Sequence, residues 1–374
     1  ANASRPVLSC LRAQKGEGPK DPHEARIIYL QRIIRKLSKK KKIDCMLSST
    51  MFSKKNEDWE IAGEGARCPF FALHREGGGL DNSLTRRVLK GRVAGWRKFR
   101  GDKLFVGTPT FRDILVEDKY LESRQLEVVG LPRVDVLLKT SKQKKNASKQ
   151  FVLFSFEHNV CLRPLLQKPR IFYKEGHGYL YGIQKFFPDG RGFSSLFEIT
   201  HGRFALMAIR NPDYEMYIKV KWYSFDWKHY LDQAIKKITG KAVEEIDNLH
   251  VTDKISAIDL MQASTAVIAF NSTVIAEAIL LDVPVIVPIF EEAAENYKEH
   301  IAWAGRPGIT FAETPELLED LLKGNKEFEH LSDKNKYELL DEAFGFSDGN
   351  NTQRLQQSMI KYIQMNMSEN CEAK

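Results

Sequence analysis

Short apolar runs alternate with amphipathic segments along most of the chain. Residues 265–270 and 283–290 are two such runs, and both are short and bounded by polar residues, as buried strands are. Residues 195–210 carry apolar positions at helical spacing. Repeated alternation of strand and helix patterns predicts parallel sheets with crossover helices, so the expected fold class is α/β.

The alternation forms two series, which fits a chain of 374 residues because a single core seldom grows to that size. Strand patterns occur at 43–49, 68–74, 103–107 and 126–130 in the first series, and at 151–156, 216–220, 249–252, 266–270, 283–289 and 309–311 in the second. We therefore expect two Rossmann-like, doubly wound domains with a ligand-binding cleft between them. The expected bounds are a disordered tail at 1–23, domains at 24–138 and 151–350, a polar linker at 139–150, and a terminal helix at 351–374 that can pack back on the first domain.

Charge is distributed unevenly along the chain. Residues 1–150 hold 33 lysines and arginines against 17 acidic residues, so this part has a net charge of +16 and the rest −8, although the whole carries +8. Such asymmetry indicates an anionic partner: a membrane surface, a phosphorylated acceptor or nucleic acid. The densest basic run, 35–42, ends a predicted helix at 24–42. Two interpretations of it stay open, a solvated helix end and peripheral attachment to anionic lipid.

The five cysteines are scattered, odd in number and without Cys-x-x-Cys spacing. This pattern argues against a disulfide framework or a zinc site and favours a reducing compartment. No apolar run approaches the length of about 20 residues that a membrane helix needs, and the first residues lack the pattern of a secretion signal. We expect a cytoplasmic protein, held at the inner face of the membrane if the basic run binds lipid.

Residues 264–290 contain the segment with the clearest chemistry. A strand pattern ends at Asn271, and a helix pattern begins at once with Ser272 and Thr273 in its first turn. The N–H groups of a helix start, together with two hydroxyls, suit a phosphate. Glu277 follows about one turn later, where its carboxylate can accept hydrogen bonds from ribose hydroxyls. In the alternative interpretation the hydroxyls only cap the helix and Glu277 is a solvated helix residue.

The segment Asn-Ser-Thr-x-x-x-Glu-Ala, followed by Leu-Asp-Val-Pro-Val-Ile, resembles the donor-binding segment of GT-B glycosyltransferases. Three further motifs fit in order: Leu-His-Arg-Glu-Gly at 73–77, Val-Gly-Leu-Pro-Arg-Val-Asp at 129–135 and Ser-Asp-Gly at 347–349. Together they are similar to bacterial surface-carbohydrate and capsule biosynthesis proteins, and more distantly to teichoic-acid glycerophosphotransferases and UDP-GlcNAc 2-epimerases.

The resemblance implies that the second domain holds the nucleotide of an activated sugar and that the first domain holds the acceptor. It implies a phosphate site at Ser272 and Thr273, beside Asn271, and a ribose contact for Glu277. No covalent cofactor is implied, because the nucleotide sugar, CMP-, CDP- or UDP-linked, is itself the substrate.

In the first domain, the resemblance makes Glu76 the candidate general base and His74 the alternative. Glycines follow Glu76, so the backbone there can approach a substrate closely. The alternative interpretation is that both residues belong to a polar strand end. Acceptor contacts are expected from three basic residues, Arg75, Arg133 and His177, of which His177 lies in an aperiodic insert at 159–192 that we interpret as a lid. Arg133 could instead be a hinge residue.

Two departures from the related families bear on the mechanism. The glycerophosphotransferases have Lys-x-His-Pro after a second-domain strand, whereas this strand ends in Lys219-Val220-Lys221-Trp222, so Lys219 and Lys221 are candidates to steady the phosphate. The epimerases have a Gly-Gly pair after the phosphate-binding serine, where this chain has Thr273-Val274. The second departure weakens the epimerase interpretation.

The resulting hypothesis is a glycosyltransferase that acts on a surface-polysaccharide or glycolipid acceptor. Metal dependence is not expected, because no Asp-x-Asp motif lies in a suitable loop. The rival enzymes are a sugar-nucleotide epimerase and a glycerophosphotransferase. The non-enzymatic rival is a basic binding module, although the basic residues lack the interleaved aromatics of a nucleic-acid motif, so no nucleic-acid partner is expected.

Overall fold

The computed structural model describes seven ranges of the chain: 21–49, 54–75, 80–140, 149–161, 193–221, 225–295 and 301–372. Within them the chain is an α/β protein with two parallel sheets of four and six strands, so the predicted fold class is confirmed. The chain divides into two compact units, one of residues 1–135 with 340–374 and one of residues 136–339. Each unit contains one sheet.

The first sheet is built from four parallel strands that follow chain order. The strands are β1 (Met46–Ser48), β2 (Phe70–Leu73), β3 (Lys103–Val106) and β4 (Leu126–Val128). The helices interspersed with them are α1 (Pro22–Lys39), α2 (Lys54–Ala66), α3 (Ser83–Val93), α4 (Pro109–Glu117) and α5 (Pro132–Thr140), and a 3-10 turn covers Ser123–Gln125.

The second sheet has six parallel strands in a different spatial order. The strands are β5 (Gln150–Phe154), β6 (Glu215–Lys219), β7 (Leu249–Thr252), β8 (Ala266–Ile268), β9 (Val285–Pro288) and β10 (Thr310–Ala312). The helices are α6 (Ser195–Arg210), α7 (Phe225–Thr239), α8 (Ala257–Ala263), α9 (Val274–Leu280), α10 (Glu292–Glu295) and α11 (Pro315–Lys323), with a 3-10 turn at Val243–Glu245. Two further helices, α12 (Asp333–Phe344) and α13 (Asn351–Glu372), complete the described chain. The spatial order β7-β6-β5-β8-β9-β10 is that of a doubly wound sheet.

Both faces of the first sheet are covered by apolar side chains. Phe70 faces the same side as Phe111 of α4, whereas Phe71 and Phe105 face the other side and pack against Leu355 of α13. This follows from the two-residue period of a strand, which sends neighbouring side chains to opposite faces. The C-terminal helix therefore completes the core of the first unit.

Several helices begin where the sequence supplies an N-terminal cap. Thr108 Oγ1 accepts the N–H of Phe111 at the start of α4, and Thr314 Oγ1 accepts the N–H of Leu317 at the start of α11. In both helices proline occupies the first position, where its missing N–H costs no helical hydrogen bond. Such local signals explain why the sequence pattern at 315–323 predicts the bounds of α11 correctly.

Several helices differ from the prediction. The helix predicted to start at Ser272 begins at Val274 as α9, so Thr273 is its N-terminal cap and Ser272 precedes it. The helix predicted at 24–42 is α1, which covers Pro22–Lys39.

The pattern at 292–303 predicts one helix. Residues 292–295 are helical (α10), but residues 302–305 form turns beside the buried side chains of Ile301 and Trp303. That prediction was wrong because apolar spacing alone did not show where the helix ends. Helix α12 was not predicted, since its buried apolar residues lie only in its second half.

A buried carboxylate fixes the start of α13 within the first unit. Asp135 Oδ1 accepts the N–H of Asn351 at 3.1 Å, and its Oδ2 accepts the N–H of Thr352 at 2.7 Å. Asn351 is fully buried beside Gly130, which has a φ of 75°, and a β-carbon at Gly130 would overlap the Asn351 side chain. The motif at 129–135 thus contacts the residues that directly follow the motif at 347–349, and it fixes the start of the C-terminal helix.

Replacing Asp135 with alanine should lower the free energy of unfolding by about 2 kcal/mol, because two N–H groups at a buried helix start lose a charged acceptor. Urea denaturation followed by circular dichroism measures this change. Asp118→Ala is the control: Asp118 is exposed at the end of α4, 3.9 Å from Lys90 in a surface ion pair, so a small effect is expected. Equal midpoints for the two variants would contradict the capping role.

Candidate functional site

The strand order of the second sheet creates a crevice at its carboxyl edge. The chain leaves β5 toward β6 on one side, and later returns to place β8 on the other side. Connections that leave two adjacent strands in opposite directions leave a gap, and ligands of doubly wound sheets bind there. Leu153 of β5 is opposite Ile268 of β8, so on the same register Ser155 lies level with Phe270, just before Asn271. The predicted motif therefore begins at the switch point of the sheet.

The turn at Asn271 is shaped by its backbone and by its side chain. Asn271 has a φ of 44°, in the left-handed region that asparagine tolerates better than most residues. Its Oδ1 accepts the N–H of Ala302 at 2.9 Å, which joins this turn to the turns at 301–305. The side chain of Asn271 thus links two loops at the edge of the crevice.

The two hydroxyls that follow remain accessible. Ser272 and Thr273 are both half-buried, so packing does not seal this corner. Ser272 Oγ accepts the N–H of Val274 at 3.3 Å, whereas Thr273 makes no capping hydrogen bond through its side chain. Ser272 therefore acts as a weak cap, as the alternative interpretation expects, and it still has its own proton to donate.

Glu277 lies one turn into α9. Its backbone N–H donates to Thr273 O at 3.2 Å. The side chain is half-buried, between the fully buried residues Ala276 and Ala278. Four of the predicted donor residues, Asn271, Ser272, Thr273 and Glu277, are consequently grouped on one turn of chain at the edge of the switch point.

The two predicted lysines lie at the carboxyl end of β6, on the other side of β5. Lys219 Nζ donates to the carbonyls of Val220 at 3.0 Å and Asp253 at 2.9 Å. Burial lowers the pKa of Lys219, an effect that Asp253 opposes. Lys219 is therefore tied to backbone oxygens between β6 and β7, whereas Lys221 is exposed.

A carboxyl group that the sequence analysis did not select lies in the loop after β5. Desolvation raises the pKa of Glu157, and the nearby charge of Lys221 lowers it. Glu157 is nevertheless exposed at the surface. The only sequence signal was its place directly after a buried strand.

A hydrogen-bonded pair of Ser155 and His201 also lies beside the switch point. Ser155 Oγ is 2.8 Å from His201 Nε2, and His201 Nδ1 is 2.7 Å from the carbonyl oxygen of Phe197. Burial lowers the pKa of His201 to about 4, although the bond to the Phe197 carbonyl acts in the opposite direction. The imidazole is therefore neutral near pH 7, with its proton on Nδ1, because a carbonyl can only accept.

The amino end of α6 is occupied by the protein itself. Glu292 accepts the N–H groups of Ser195 at 2.7 Å and Leu196 at 2.8 Å, one with each oxygen. Ser194 accepts the next two, with Oγ for Phe197 and its carbonyl for Glu198. All four amides of the first turn are thus bonded, although the helix after the first strand of a doubly wound sheet commonly receives a phosphate there.

The first-unit candidates lie after strands of the first sheet. His74, directly after β2, is buried and stacked on Phe111 with 4.4 Å between ring centroids. Arg75 is exposed beside it, and Arg133 is exposed in the first turn of α5. Glu76 and His177 lie outside the described residues.

None of the helices in the seven ranges given above combines the length and the apolarity that crossing a membrane requires. Nor do three or more His, Cys, Asp or Glu side chains there come together as metal ligands.

Comparison with known proteins identifies similar folds only. No protein-family model and no curated protein matches the chain. A solved UDP-N-acetylglucosamine 2-epimerase is 14% identical over 93% of this chain and 80% of that chain, with a TM-score of 0.49. A glycosyltransferase from Rickettsia africae is 12% identical over 96% and 88%, with a TM-score of 0.47. The wall teichoic acid polymerase TagF is 12% identical over 80% and 69%, also with a TM-score of 0.47. Similarity of this degree defines no activity.

Replacing Glu292 with alanine should loosen the start of α6. Two N–H groups lose a charged acceptor, so the free energy of unfolding should fall by about 1–2 kcal/mol. Hydrogen exchange should speed up at the amides of Ser195 and Leu196. Glu295→Ala, an exposed change in the same short helix, is the matched control, and equal exchange rates in the two variants would contradict the cap.

His201 should make the protein less stable in acid. Its folded-state pKa of about 4 is below the value of 6.5 of a free histidine, so its contribution is complete above pH 6.5 and declines as the pH falls toward 4. The loss from this group is about 3 kcal/mol over that window. Unfolding free energies of His201→Gln between pH 7 and 4 should lack this part of the slope.

His330→Gln is the control for that experiment, because His330 is exposed. It should retain the full pH dependence of the unsubstituted protein. The assignment of a neutral His201 would be contradicted if His201→Gln showed the same slope as His330→Gln.

Proposed function

We propose that the chain is a glycosyltransferase that moves a sugar from a nucleotide-activated donor to an acceptor hydroxyl. One observation carries the proposal: Asn271, Ser272, Thr273 and Glu277 lie together where the strand order of the six-stranded sheet reverses. Doubly wound sheets bind nucleotides at this position, which supports the assignment of these four residues to the donor.

The phosphate of the donor is assigned to the hydroxyls of Ser272 and Thr273. The competing position, the amino end of α6, supports this choice because Glu292 and Ser194 already satisfy its amides. A second anion beside the Glu292 carboxylate would be repelled. Lys221, exposed at the end of β6, is the predicted cation that we assign to the phosphate, and Lys219 retains one N–H beyond its two carbonyl bonds.

The ribose of the donor is assigned to Glu277. A half-buried carboxylate one helical turn from the phosphate can accept from two vicinal hydroxyls, and partial burial strengthens such charged hydrogen bonds. The solvated interpretation of Glu277 is disfavoured because the residue itself is half-buried.

The proposed reaction is a displacement at the anomeric carbon. The bond from that carbon to the phosphate oxygen breaks, and the oxygen takes the electron pair as the nucleotide leaves. The acceptor oxygen forms the new bond and its proton passes to a base, for which Glu76 is the candidate and His74 the alternative. Lys221 and the Ser272 hydroxyl would stabilise the charge that develops on the leaving phosphate.

The proposed acceptor is an anionic or lipid-linked glycan bound by the first unit, with Arg75, Arg133 and His177 as candidate contacts. It is supported by the net charge of +16 in residues 1–150 and by the exposure of Arg75 and Arg133. The basic run at 35–42 is exposed at Lys36 and at 39–42. Such a cationic helix end is suited to peripheral contact with anionic lipid at the inner face of the membrane.

The epimerase alternative is separated by incubating the protein with donor alone. A transferase gives no isomerised donor and forms product only when an acceptor is added. Accumulation of an isomerised nucleotide sugar without acceptor would overturn the transferase proposal while leaving the nucleotide site intact.

Glu277→Ala should weaken nucleotide binding by about 10- to 100-fold, because a charged acceptor of two ribose hydroxyls is lost. A thermal-shift screen with CMP, CDP, UDP and GDP first selects the nucleotide, and isothermal titration calorimetry then compares the variants. Circular dichroism checks that the fold is retained.

Glu338→Ala serves as the control, since Glu338 is an exposed glutamate of α12. It should bind the selected nucleotide as the unsubstituted protein does. Unchanged affinity in Glu277→Ala would refute the donor site proposed here.

A further inference from the structure

Basic side chains line the amino-terminal edge of the first sheet, where its four parallel strands begin. We propose that this edge binds the anionic headgroups of a phospholipid bilayer. The surface, which we call the basic edge, consists of the residues that directly precede the strands: 39–45, 67–69, 98–102 and 118–125. The inference rests on the lipid contact in the proposed function and extends it from one helix end to four adjoining segments.

Hydrogen bonds at the strand starts hold the four segments side by side. They join Met46 N–H to Pro69 O at 2.8 Å, Asp102 N–H to Phe70 O at 2.8 Å, and Gln125 Nε2 to Gly101 O at 3.4 Å. Since neighbouring strands lie about 4.8 Å apart, the segments form one continuous surface about 14 Å across.

Cations outnumber acids on this surface. The basic edge holds nine lysines and arginines against four acidic residues, which gives it a net charge of +5. Two of the cations are paired: Arg100 with Glu64 at 3.2 Å, and Arg124 with Glu122 at 2.6 Å. The other seven are exposed and form no ion pair within the described ranges: Lys39, Lys40, Lys41, Lys42, Arg67, Lys98 and Lys119. Charge left unneutralised in this way attracts an anionic partner.

Three of the segments turn at a basic residue whose backbone is in the left-handed region. Lys41, Arg67 and Lys119 have φ values of 53°, 55° and 51°, and they follow the ends of α1, α2 and α4. Glycine is the least strained residue at such a turn. The second unit uses glycine after α7 and α11, at Gly240 and Gly324. The first unit thus places a cation at three turns although each one strains the backbone.

The helix dipole alone does not account for these cations. A basic residue near a helix C-terminus is stabilised by the dipole, but α7 and α11 have lysines in their last turns and still use glycine at the turn that follows. Lys98 lies five residues after the end of α3, and the effect of the dipole is confined to the last turn. A shared anionic partner explains all of these positions together.

The composition of the basic edge favours a bilayer over a nucleic acid. Proteins that bind single strands stack bases on accessible aromatic rings, whereas the two aromatic residues here, Phe99 and Tyr120, belong to the core cluster of the first unit. A cluster of about four to eight lysines and arginines is the size that binds anionic lipid. Helix α1 buries Leu30 and Ile34 in a cluster with Ala62 of α2, so the contact is electrostatic and inserts no apolar helix face.

The basic edge and the candidate acceptor residues lie at opposite ends of the same strands. Arg67 precedes β2, and His74 follows it, and a strand of four residues spans about 13 Å. A bilayer bound at the amino-terminal edge therefore leaves the carboxyl edge of this sheet facing away from the lipid. Loss of lipid binding should consequently leave nucleotide affinity unchanged.

Co-sedimentation of the full chain with vesicles tests the inference. The probes are vesicles of phosphatidylcholine alone and vesicles with about 30% phosphatidylglycerol as the anionic lipid. The chain should bind only the anionic vesicles, and binding should weaken between about 0.1 M and 1 M salt, because the Debye length shortens from about 10 Å to 3 Å. Arg67→Gly/Lys98→Gln/Lys119→Gly, the edge variant, leaves 35–42 intact and should bind about 10- to 100-fold more weakly.

The matched control is Lys254→Gln/Lys326→Gln/Lys334→Gln, which removes three exposed lysines of the second unit and the same net charge. It should bind the anionic vesicles as the unsubstituted chain does. Urea denaturation should give the edge variant a midpoint no lower than that of the unsubstituted chain, since glycine relieves the strain at two turns. If the midpoint is lower, Arg67→Asn/Lys98→Gln/Lys119→Asn replaces it, because asparagine also tolerates the left-handed region.

Each outcome has a definite meaning. Weaker binding by the edge variant with normal binding by the control supports the inference. Equal affinities of the two variants overturn it and leave the contact at 35–42 standing. If the unsubstituted chain does not bind anionic vesicles, both lipid contacts are overturned, whereas the donor site is judged separately by nucleotide calorimetry. Tighter binding of a single-stranded oligonucleotide than of anionic vesicles at the same salt concentration would identify nucleic acid as the partner and also overturn the inference.

Discussion

The central position of β5 in its sheet determines which polar residues of the second unit lie at the proposed ligand site. A chain that fills one side of this strand and then the other must send its connections in opposite directions. Connections that diverge in this way leave a gap at the carboxyl edge between β5 and β8. Ser155 and Asn271 lie beside this gap because each follows the end of one of these strands, and the chemistry proposed for the site depends on that geometry.

Local patterns were sufficient to predict the fold class and many elements. The patterns at 195–210, 257–263 and 315–323 predict helices with the bounds of α6, α8 and α11, since each combines an apolar stripe with polar residues at both ends. Strands β5, β8 and β9 are visible as apolar runs because both of their faces are buried. The helix predicted at 292–303 failed because buried turns such as that around Trp303 also contain apolar residues at irregular spacing.

The candidate site was predictable only in the part that is contiguous in sequence. Residues 271–277 form one turn and one helix start, so their grouping follows from local structure. The pairing of Ser155 with His201 spans 46 residues and that of Leu196 with Glu292 spans 96, and neither partner carries a motif. Likewise, Gly130 and Asp135 came with the family resemblance, whereas their contact with Asn351 emerged only from the fold.

The carboxylate of Glu292 acts as a built-in counter-ion for the positive amino end of α6. Free inorganic phosphate, which is abundant in cells, finds the amino end of α6 already bonded to the Glu292 carboxylate. The nucleotide proposed to bind beside β8 would then not compete with small anions for the amino end of α6, because the amides there are already bonded to the protein.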